Sequence, residues 1–500
     1  MIEADVSTLE AASAAAPSDA KSDSLLTTRE VSGAIESGRE HSRILLAAYH
    51  FPPSAAVGGL RVTRFARFLP EFGWRPFVLT VEDADRGRDE GTDVSRLAGL
   101  EALQITRTRR RPGLSNLYSR IRRSVSRHEI RRTSRDDSTA ARAENAGRET
   151  LARRVRRYAT SLLVLLPDVE KNWAVFAALP SVRLIWRHRI DYILTSAPPF
   201  SVHFIGLVAK RLTPVTWVAD FRDPWVEFMG TRGPQSRSWL SQRLEEWMEA
   251  LVMRHADKVL VTTERMRASI MARYPHLPDA KFACLPNGID VSRVTADESP
   301  AKYDRFTITY AGSFYMDRTP EPLFAALGAL VQDGKALPDD VCIKLIGSCH
   351  YIGAVETRVV ARRYGVERSV EIIERVPHAE AIRVMQRSHL LLVLAPPNHQ
   401  LVQPAKVFDY LGSGSKLLAL AEPGATVDLI QETGSGTFFS QKDISGLKAY
   451  LHGLITDGSF RYLRNDPEAF RRYDARRLTG QLVDELSSQQ VRRNVGKCLA

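Results

Sequence analysis

Short apolar runs alternate with amphipathic stretches along most of this chain, and the spacing predicts strands and helices in strict alternation. Arg43-Ile44-Leu45-Leu46-Ala47-Ala48 reads as a buried strand, and the loop His50-Phe51-Pro52-Pro53-Ser54-Ala55-Ala56-Val57-Gly58-Gly59 follows it. Leu60, Phe65, Phe68 and Leu69 set one face of a helix that Gly73 ends, and residues 76–80 form the next strand. Strand, glycine loop, helix, strand is a βαβ unit and implies a parallel sheet. Strands are predicted again at 192–195, 217–220 and 258–262, with amphipathic helices at 201–210 and 238–254. A second cycle opens at 306–312 and continues with strands at 342–346, 370–373, 390–394 and 417–421. A basic helical segment closes the chain from 444 to about 489. The predicted fold class is α/β, with two Rossmann-like doubly wound domains facing a cleft. The first spans 43–292 and the second 300–440, with a disordered tail at 1–42 and helices and tail at 441–500. In open parallel sheets, ligands sit beyond the carboxyl ends of the strands, so two such ends would face each other here.

Composition adds a bias in charge. The 500 residues are 44% hydrophobic and 26% charged, with a formal net charge of +12, which favours anionic partners. The four cysteines are scattered with no CxxC pair, which argues against a structural zinc or a disulfide framework. The start of the chain lacks a secretory pattern, and no apolar run approaches the roughly 18–20 residues that span a bilayer. A cytoplasmic protein, peripheral at the inner membrane face, is expected. Between 107 and 157, seventeen arginines are interleaved with Ser and Thr, so this is an insertion rather than core. Tyr118 and the adjacent Tyr158 are its only aromatics, which argues against base stacking, and no nucleic acid is expected. An anionic membrane surface suits the insertion better, with residues 162–186 adding apolar contacts; a plain solvated insertion is the alternative.

The candidate chemistry lies at predicted strand ends. Gln403-Pro404-Ala405-Lys406-Val407-Phe408-Asp409-Tyr410-Leu411-Gly412 follows an apolar strand and places Lys406 and Asp409 three residues apart on one helix face. A cation and a carboxylate there suit a ligand with phosphates and sugar hydroxyls; a surface ion pair is the alternative. Gly312 and Arg318 lie in the loop after residue 311, where Arg318 and helix amides could hold an anion with Lys406. Gly58 and Gly59 open a helix after a long loop, as an anion or acceptor site requires, but the spacing is not GxGxxG. Ser196 precedes Ala197-Pro198-Pro199 and is expected to face the cleft, with His203 early on the next helix. Asp220-Phe221-Arg222-Asp223-Pro224-Trp225 gathers three charges at a strand end, costly unless paired or ligand-bound. One of its carboxylates could orient or deprotonate an acceptor hydroxyl, whereas Arg222 could pair with either.

Taken in order, these segments resemble the family-4 retaining glycosyltransferases of the GT-B fold, especially members assembling bacterial surface polysaccharides. The resemblance rests on Phe51-Pro52-Pro53 with Gly58-Gly59, Ser196-Ala197-Pro198-Pro199, the Asp220–Trp225 cluster, Pro286-Asn287-Gly288-Ile289-Asp290, and Pro404-Ala405-Lys406-Val407-Phe408-Asp409-Tyr410-Leu411 with Gly414; Pro167-Asp168 and Trp173 join them. It covers about residues 43–440. It implies that the second domain binds a nucleotide diphosphate sugar and the first a glycan or lipid-linked acceptor. Gly312, Arg318, Lys406 and Asp409 would contact the donor, with Asp409 on the ribose. Gly58 and Gly59 would lie beside the phosphates or acceptor. The residues themselves add Ser196 and Arg222 to those loops and make Asp220, Asp223 and His203 the catalytic candidates, a purely structural histidine being the alternative. The sugar, a hexose, would transfer with retention, the leaving diphosphate being held by cations without a metal, and no other cofactor is implied. The chain departs from the family's Glu-x7-Glu pair, with Leu401 at its first position and the shorter Asp409 at its second. Ser313 stands where the family often has Arg, and Arg318 where it has Lys. A sugar-nucleotide 2-epimerase of the same fold and a non-catalytic binding partner are the alternatives.

Overall fold

The computed structural model describes residues 42–85, 91–110, 166–230, 239–291, 300–314 and 318–498, with backbone alone at 228–230, 467 and 489–498. The expected tail, most of the arginine-rich insertion and residues 162–165 lie outside the described residues. Seven strands form the first sheet: β1 (Ser42–Ala47), β2 (Trp74–Val81), β3 (Gln104–Thr108), β4 (Tyr192–Ala197), β5 (Thr216–Phe221), β6 (Lys258–Val261) and β7 (Phe282–Cys284). Their order is β3-β2-β1-β4-β5-β6-β7, and every neighbouring pair is parallel. Six of the remaining strands form the second sheet, β8 (Phe306–Ala311), β9 (Val341–Ile346), β12 (Val370–Ile373), β13 (Leu390–Ala395), β14 (Lys416–Ala421) and β15 (Gly436–Phe439). Its order, β12-β9-β8-β13-β14-β15, is again parallel throughout. The short pair β10 (Tyr351–Ile352) and β11 (Val355–Glu356) makes a separate antiparallel hairpin. Two doubly wound α/β sheets are therefore present, as the alternating pattern predicts. Central strands such as β13 are buried along their whole length, because helices cover both faces of a parallel sheet.

On the first sheet, helices α1 (Leu60–Phe68), α2 (Lys171–His188), α3 (Val202–Leu212), α4 (Trp225–Gly230), α5 (Trp239–His255) and α6 (Glu264–Arg273) fill the crossovers. Residues of α2, α3 and α5 share one core with Leu45, Phe77 and Trp217, and α1 packs on the opposite face with Ile44, Leu46 and Val78. The second sheet carries α7 (Glu321–Gln332), α8 (Thr357–Arg363), α9 (His378–Arg387), α10 (Lys406–Gly412), α11 (Ala425–Thr433) and α12 (Ile444–Thr456). The last helix, α13 (Ala475–Cys498), returns to the first sheet and buries Leu478, Leu482 and Leu486 against Ile44, Val62 and Trp74. Its three leucines are spaced i, i+4, i+8, so they form one stripe, and beside it Lys258 Nζ of β6 lies 2.5 Å from Glu485.

The chain thus crosses between the sheets twice, and the two crossings are joined. Ile289 N donates to Tyr473 O at 2.8 Å and Ala475 N to Ile289 O at 2.7 Å, a strand-like bridge between the linkers. The first crossing is the Pro-Asn-Gly-Ile-Asp segment noted in the sequence. Its Gly288 has no room for a side chain, because a Cβ would run into Leu478 and the Tyr473 carbonyl.

Candidate functional site

Each sheet reverses its strand order once, between β1 and β4 in the first and between β8 and β13 in the second. Ligands bind at such reversals because the two flanking loops diverge and leave a crevice. Several sequence-predicted residues lie at those strand ends: Gly58 and Gly59 after β1, Gly312 and Arg318 after β8, and Lys406 after β13.

In the second sheet the geometry is tight. Tyr410, fully buried on α10, accepts a hydrogen bond from Ala311 N at 2.8 Å and so pins α10 to the end of β8. That brings Lys406, the first residue of α10, over the ring of Tyr310 with Nζ 3.9 Å from the ring centre. Gly312 follows with φ of 151°, and a Cβ there would collide with Lys406 Nζ. Gly347, at φ 106°, backs the same turn, since its Cβ would strike the Gly312 carbonyl. Both glycines are therefore required by conformation as well as space. Burial, with the charge of Arg318 nearby, pushes the Lys406 pKa down to about 7. Arg318 is itself buried. Two cations held together in a partly dry crevice have a natural complement, a ligand with two or more negative charges.

The first sheet's side is organised by Arg222. Its Nε donates to Ala197 O at 3.0 Å, and its two terminal nitrogens donate to the carbonyls of Gly58 and Pro198. One guanidinium thus ties the loop after β1 to the loop after β4. Gly58 is kept small by this arrangement, because a Cβ would lie 3.0 Å from that guanidinium and 2.9 Å from His50. The segment after residue 90 clamps the same loop, with Asp93 N donating to Pro53 O at 2.7 Å and Arg96 to Ala56 O at 3.0 Å.

Three expectations are corrected here. Ser196 does not face the cleft: β4 runs two residues further than predicted, turning Ser196 inward, where its Oγ donates to Asp220 Oδ2 at 2.7 Å. Asp220 is fully buried, and Arg61 on α1 donates to it through Nε at 3.1 Å and through a terminal nitrogen at 3.0 Å, so its lone pairs are occupied within the protein. His203 is fully buried on α3, stacked on Phe221, with Nδ1 2.9 Å from Thr195 Oγ1, and burial takes its pKa down to about 3. A neutral imidazole without exposed surface is a packing residue in this conformation. Asp223 is the partly exposed carboxylate of the cluster, at the end of β5. The Pro167-Asp168 signature also has a structural partner: Asp168 accepts from Ser201 N at 2.8 Å and Ser201 Oγ at 2.7 Å, holding the start of α3.

Across the cleft, the structure joins residues that sequence spacing does not connect. Asp409 Oδ1 lies 3.8 Å from a terminal nitrogen of Arg64 on α1, and the same Arg64 donates to the Gly288 carbonyl of the linker. Arg61 donates to Pro286 O at 2.7 Å, and Arg67 pairs with Asp290 at 2.6 Å. Arg61, Arg64 and Arg67, three apart along α1, therefore form a basic row along the linker. Arg64 is a candidate that the sequence reading missed. The i, i+3, i+6 spacing was its signal, read only for its apolar members. Leu401, where the resemblance implies a glutamate, packs against the core of the first sheet, and its carbonyl accepts from Thr263 Oγ1 at 2.6 Å. Arg265 beside it pairs with Asp428 of α11, one hydrogen bond measuring 2.8 Å.

With this geometry in place, comparison with known proteins is informative. A glycosyltransferase from Rickettsia africae superposes with a TM-score of 0.56 at 10% identity, covering 90% of this chain and 99% of that one. Anabaena HepE in complex with UDP-glucose gives 0.56 at 14% identity, covering 90% and 100%. Sucrose-phosphate synthase from Thermosynechococcus elongatus gives 0.55 at 13%, covering 91% and 100%. The fold is GT-B. Within this GT-B chain, residues 128–293 match the model of Glycosyltransferase Family 4. No curated protein sequence matches it. The family match ends at the first crossing between the sheets, so it falls on the first domain, from the insertion to the linker.

Proposed function

We propose that this protein transfers a hexose, with retention, from a nucleotide diphosphate sugar to a glycan or lipid-linked acceptor in surface polysaccharide or glycolipid synthesis. The observation that carries the reading is the Gly312–Lys406–Arg318 crevice at the strand reversal of the second sheet. It presents two cations and a side-chain-free turn where a diphosphate would lie, facing the first sheet's Gly58–Arg222 loops. HepE, a protein of the same fold, binds UDP-glucose, which supports a nucleotide sugar as the donor class. In the proposed step, the bond between the anomeric carbon and the diphosphate oxygen breaks, and the electron pair leaves with the diphosphate. Lys406 and Arg318 stabilise that charge as it develops, which lowers the barrier only if they are already in position. The acceptor oxygen bonds the anomeric carbon on the same face, and its proton passes to the departing phosphate or to Asp223. Asp409 holds the ribose, exchanging its contact with Arg64 for the sugar hydroxyls.

The test pairs binding with transfer. UDP, GDP, ADP and dTDP are compared by thermal shift; the matching base raises the melting temperature most, because a ligand of the native state stabilises it by mass action. The matching sugar nucleotide, given with a lipid-linked or oligosaccharide acceptor, yields glycosylated product and free nucleoside diphosphate. Isomerised donor formed without acceptor identifies an epimerase instead. Leu401 favours one second reading, a nucleotide-binding partner without transfer, because no carboxylate stands at that position. Binding without turnover of any donor supports that alternative.

A further inference from the structure

Four of the seven tryptophans are interior or nearly so, and three, Trp186, Trp239 and Trp247, are 60% or more exposed. All three lie on α2 and α5, in the helix layer on one face of the first sheet. Among the described residues, sixteen large apolar side chains are exposed, and nine of them fall between Val169 and Trp247, so the exposure is concentrated rather than scattered. On α2, Val175, Leu179 and Trp186 follow one outward stripe, at 61% exposure each, opposite the buried Trp173, Ala177 and Ile185. On α5, Trp239 and Trp247 stand two turns apart on the outward side, opposite Ser241, Glu245 and Met248. Each helix thus carries large exposed apolar side chains on its outward side in addition to its buried face, which a helix covering a sheet in water does not need.

The charges beside these stripes are of one dominant sign. Arg183 and Arg187 flank Trp186, and Arg243 lies between the two tryptophans of α5, with Glu246 3.5 Å from it. The arginine-rich stretch precedes α2 in the chain. Topology places the surface usefully. In a βαβ crossover the helix starts at the end of the sheet where the strands finish, so Val175 and Trp239, near the starts of α2 and α5, lie at the same end as the loops after β1 and β4. Among the described residues no helix is long and apolar enough to cross a membrane. Tryptophans with arginines beside them on a surface helix match the interface of a bilayer, where indole rings sit at headgroup depth and guanidinium groups meet anionic lipids.

We propose that the outward face of α2 and α5 docks on an anionic bilayer surface, with Trp186, Trp239 and Trp247 entering the headgroup layer. The first domain then lies with this helix layer against the lipid and its cleft end at the side, next to a lipid-linked acceptor. The docking itself does not require glycosyl transfer, so its test stands apart from that reading. The full-length protein is sedimented with vesicles of phosphatidylcholine alone and with vesicles containing phosphatidylglycerol. It pellets with the anionic vesicles and not with the neutral ones. Trp239→Ala with Trp247→Ala weakens pelleting while the melting temperature by circular dichroism is unchanged. Arg183→Gln, Arg187→Gln and Arg243→Gln together weaken it by on the order of a hundredfold, about fivefold for each cation removed. Equal binding to neutral vesicles overturns the proposal. So does unaltered pelleting of both variants, which would assign any membrane binding to the arginine-rich stretch. A concentration-dependent dimer by light scattering that the Trp239/Trp247 double variant abolishes would assign the face to a second copy of this chain, and would overturn it as well.

Discussion

An ε-amino group packed 3.9 Å from the centre of the Tyr310 ring, with a second cation nearby, holds its proton weakly. The folded pKa of Lys406, about 7, lies below the ordinary lysine value of 10.5. Between those values the folded state binds fewer protons than the unfolded one, so this group's contribution to stability rises with pH across that window and is most unfavourable below pH 7. A bound diphosphate reverses the preference by favouring the ammonium form. Nucleoside diphosphate binding at pH 8 is therefore expected to take up a proton, and at pH 5.5 not to, with affinity falling as pH rises above 7. Calorimetry in two buffers of different ionisation enthalpy measures the uptake, and Lys406→Gln removes it. Asp220 behaves differently because its charge is already matched by Arg61. Asp220→Asn leaves a buried guanidinium uncompensated, and the urea midpoint should report a loss of about 3–5 kcal/mol. The sequence showed that the Asp220–Asp223 cluster must be paired or ligand-bound. It could not show the partner, because Arg61 lies 159 residues away along the chain.

At the scale of elements, the most legible strands are those covered on both faces, although the edge strand β12 is legible as well. β8, β13 and β14 announce themselves as apolar runs. β3 and β7 were missed, and each is an edge strand: β3 is partly exposed throughout, and β7 has three residues. β7 is simply too short to carry a periodic signal, whereas an edge strand such as β3 buries less of each residue, so its composition drifts toward polar and the signal fades. β15, the other edge of its sheet, was missed for the same reason, its four residues all being partly exposed. The loop between β13 and α10 carries a clearer signal than it first offered. Leu401 is the wrong residue for a donor-binding carboxylate and the right one for a domain contact. Leu401→Glu places a carboxylate against the first sheet's core, and a destabilisation of about 1–3 kcal/mol is expected by denaturant titration. Recovery of wild-type stability on lowering the pH to 4 would identify the buried charge as the cause. A loss that persists at pH 4 would point to the altered shape instead.

The whole molecule is two sheets joined by two paired linkers, with the basic row of α1 lying along the join. Sequence order revealed the two sheets, but not the return of α13, because its leucine stripe has no partner until the first sheet is built. Arg64 occupies the central place, since it donates to the linker carbonyl of Gly288 and faces Asp409 across the cleft. A nucleotide sugar that takes Asp409 for its ribose must replace that contact, so occupancy of the second domain and the approach of the domains are linked through one guanidinium. Both members of the pair are partly exposed, which limits the contact to about 1 kcal/mol, or roughly fivefold in the ratio of closed to open molecules. Arg64→Gln is expected to raise the ligand-free radius of gyration by small-angle scattering, and Asp409→Asn to do the same. The double variant should add little to either, because both remove one interaction. With nucleoside diphosphate bound, the wild type should open toward the Arg64→Gln form, because the ribose takes Asp409 from the guanidinium, while the two single variants should change little. If the ligand leaves the wild-type radius of gyration unchanged, the ribose is held elsewhere and Asp409 serves only the domain contact.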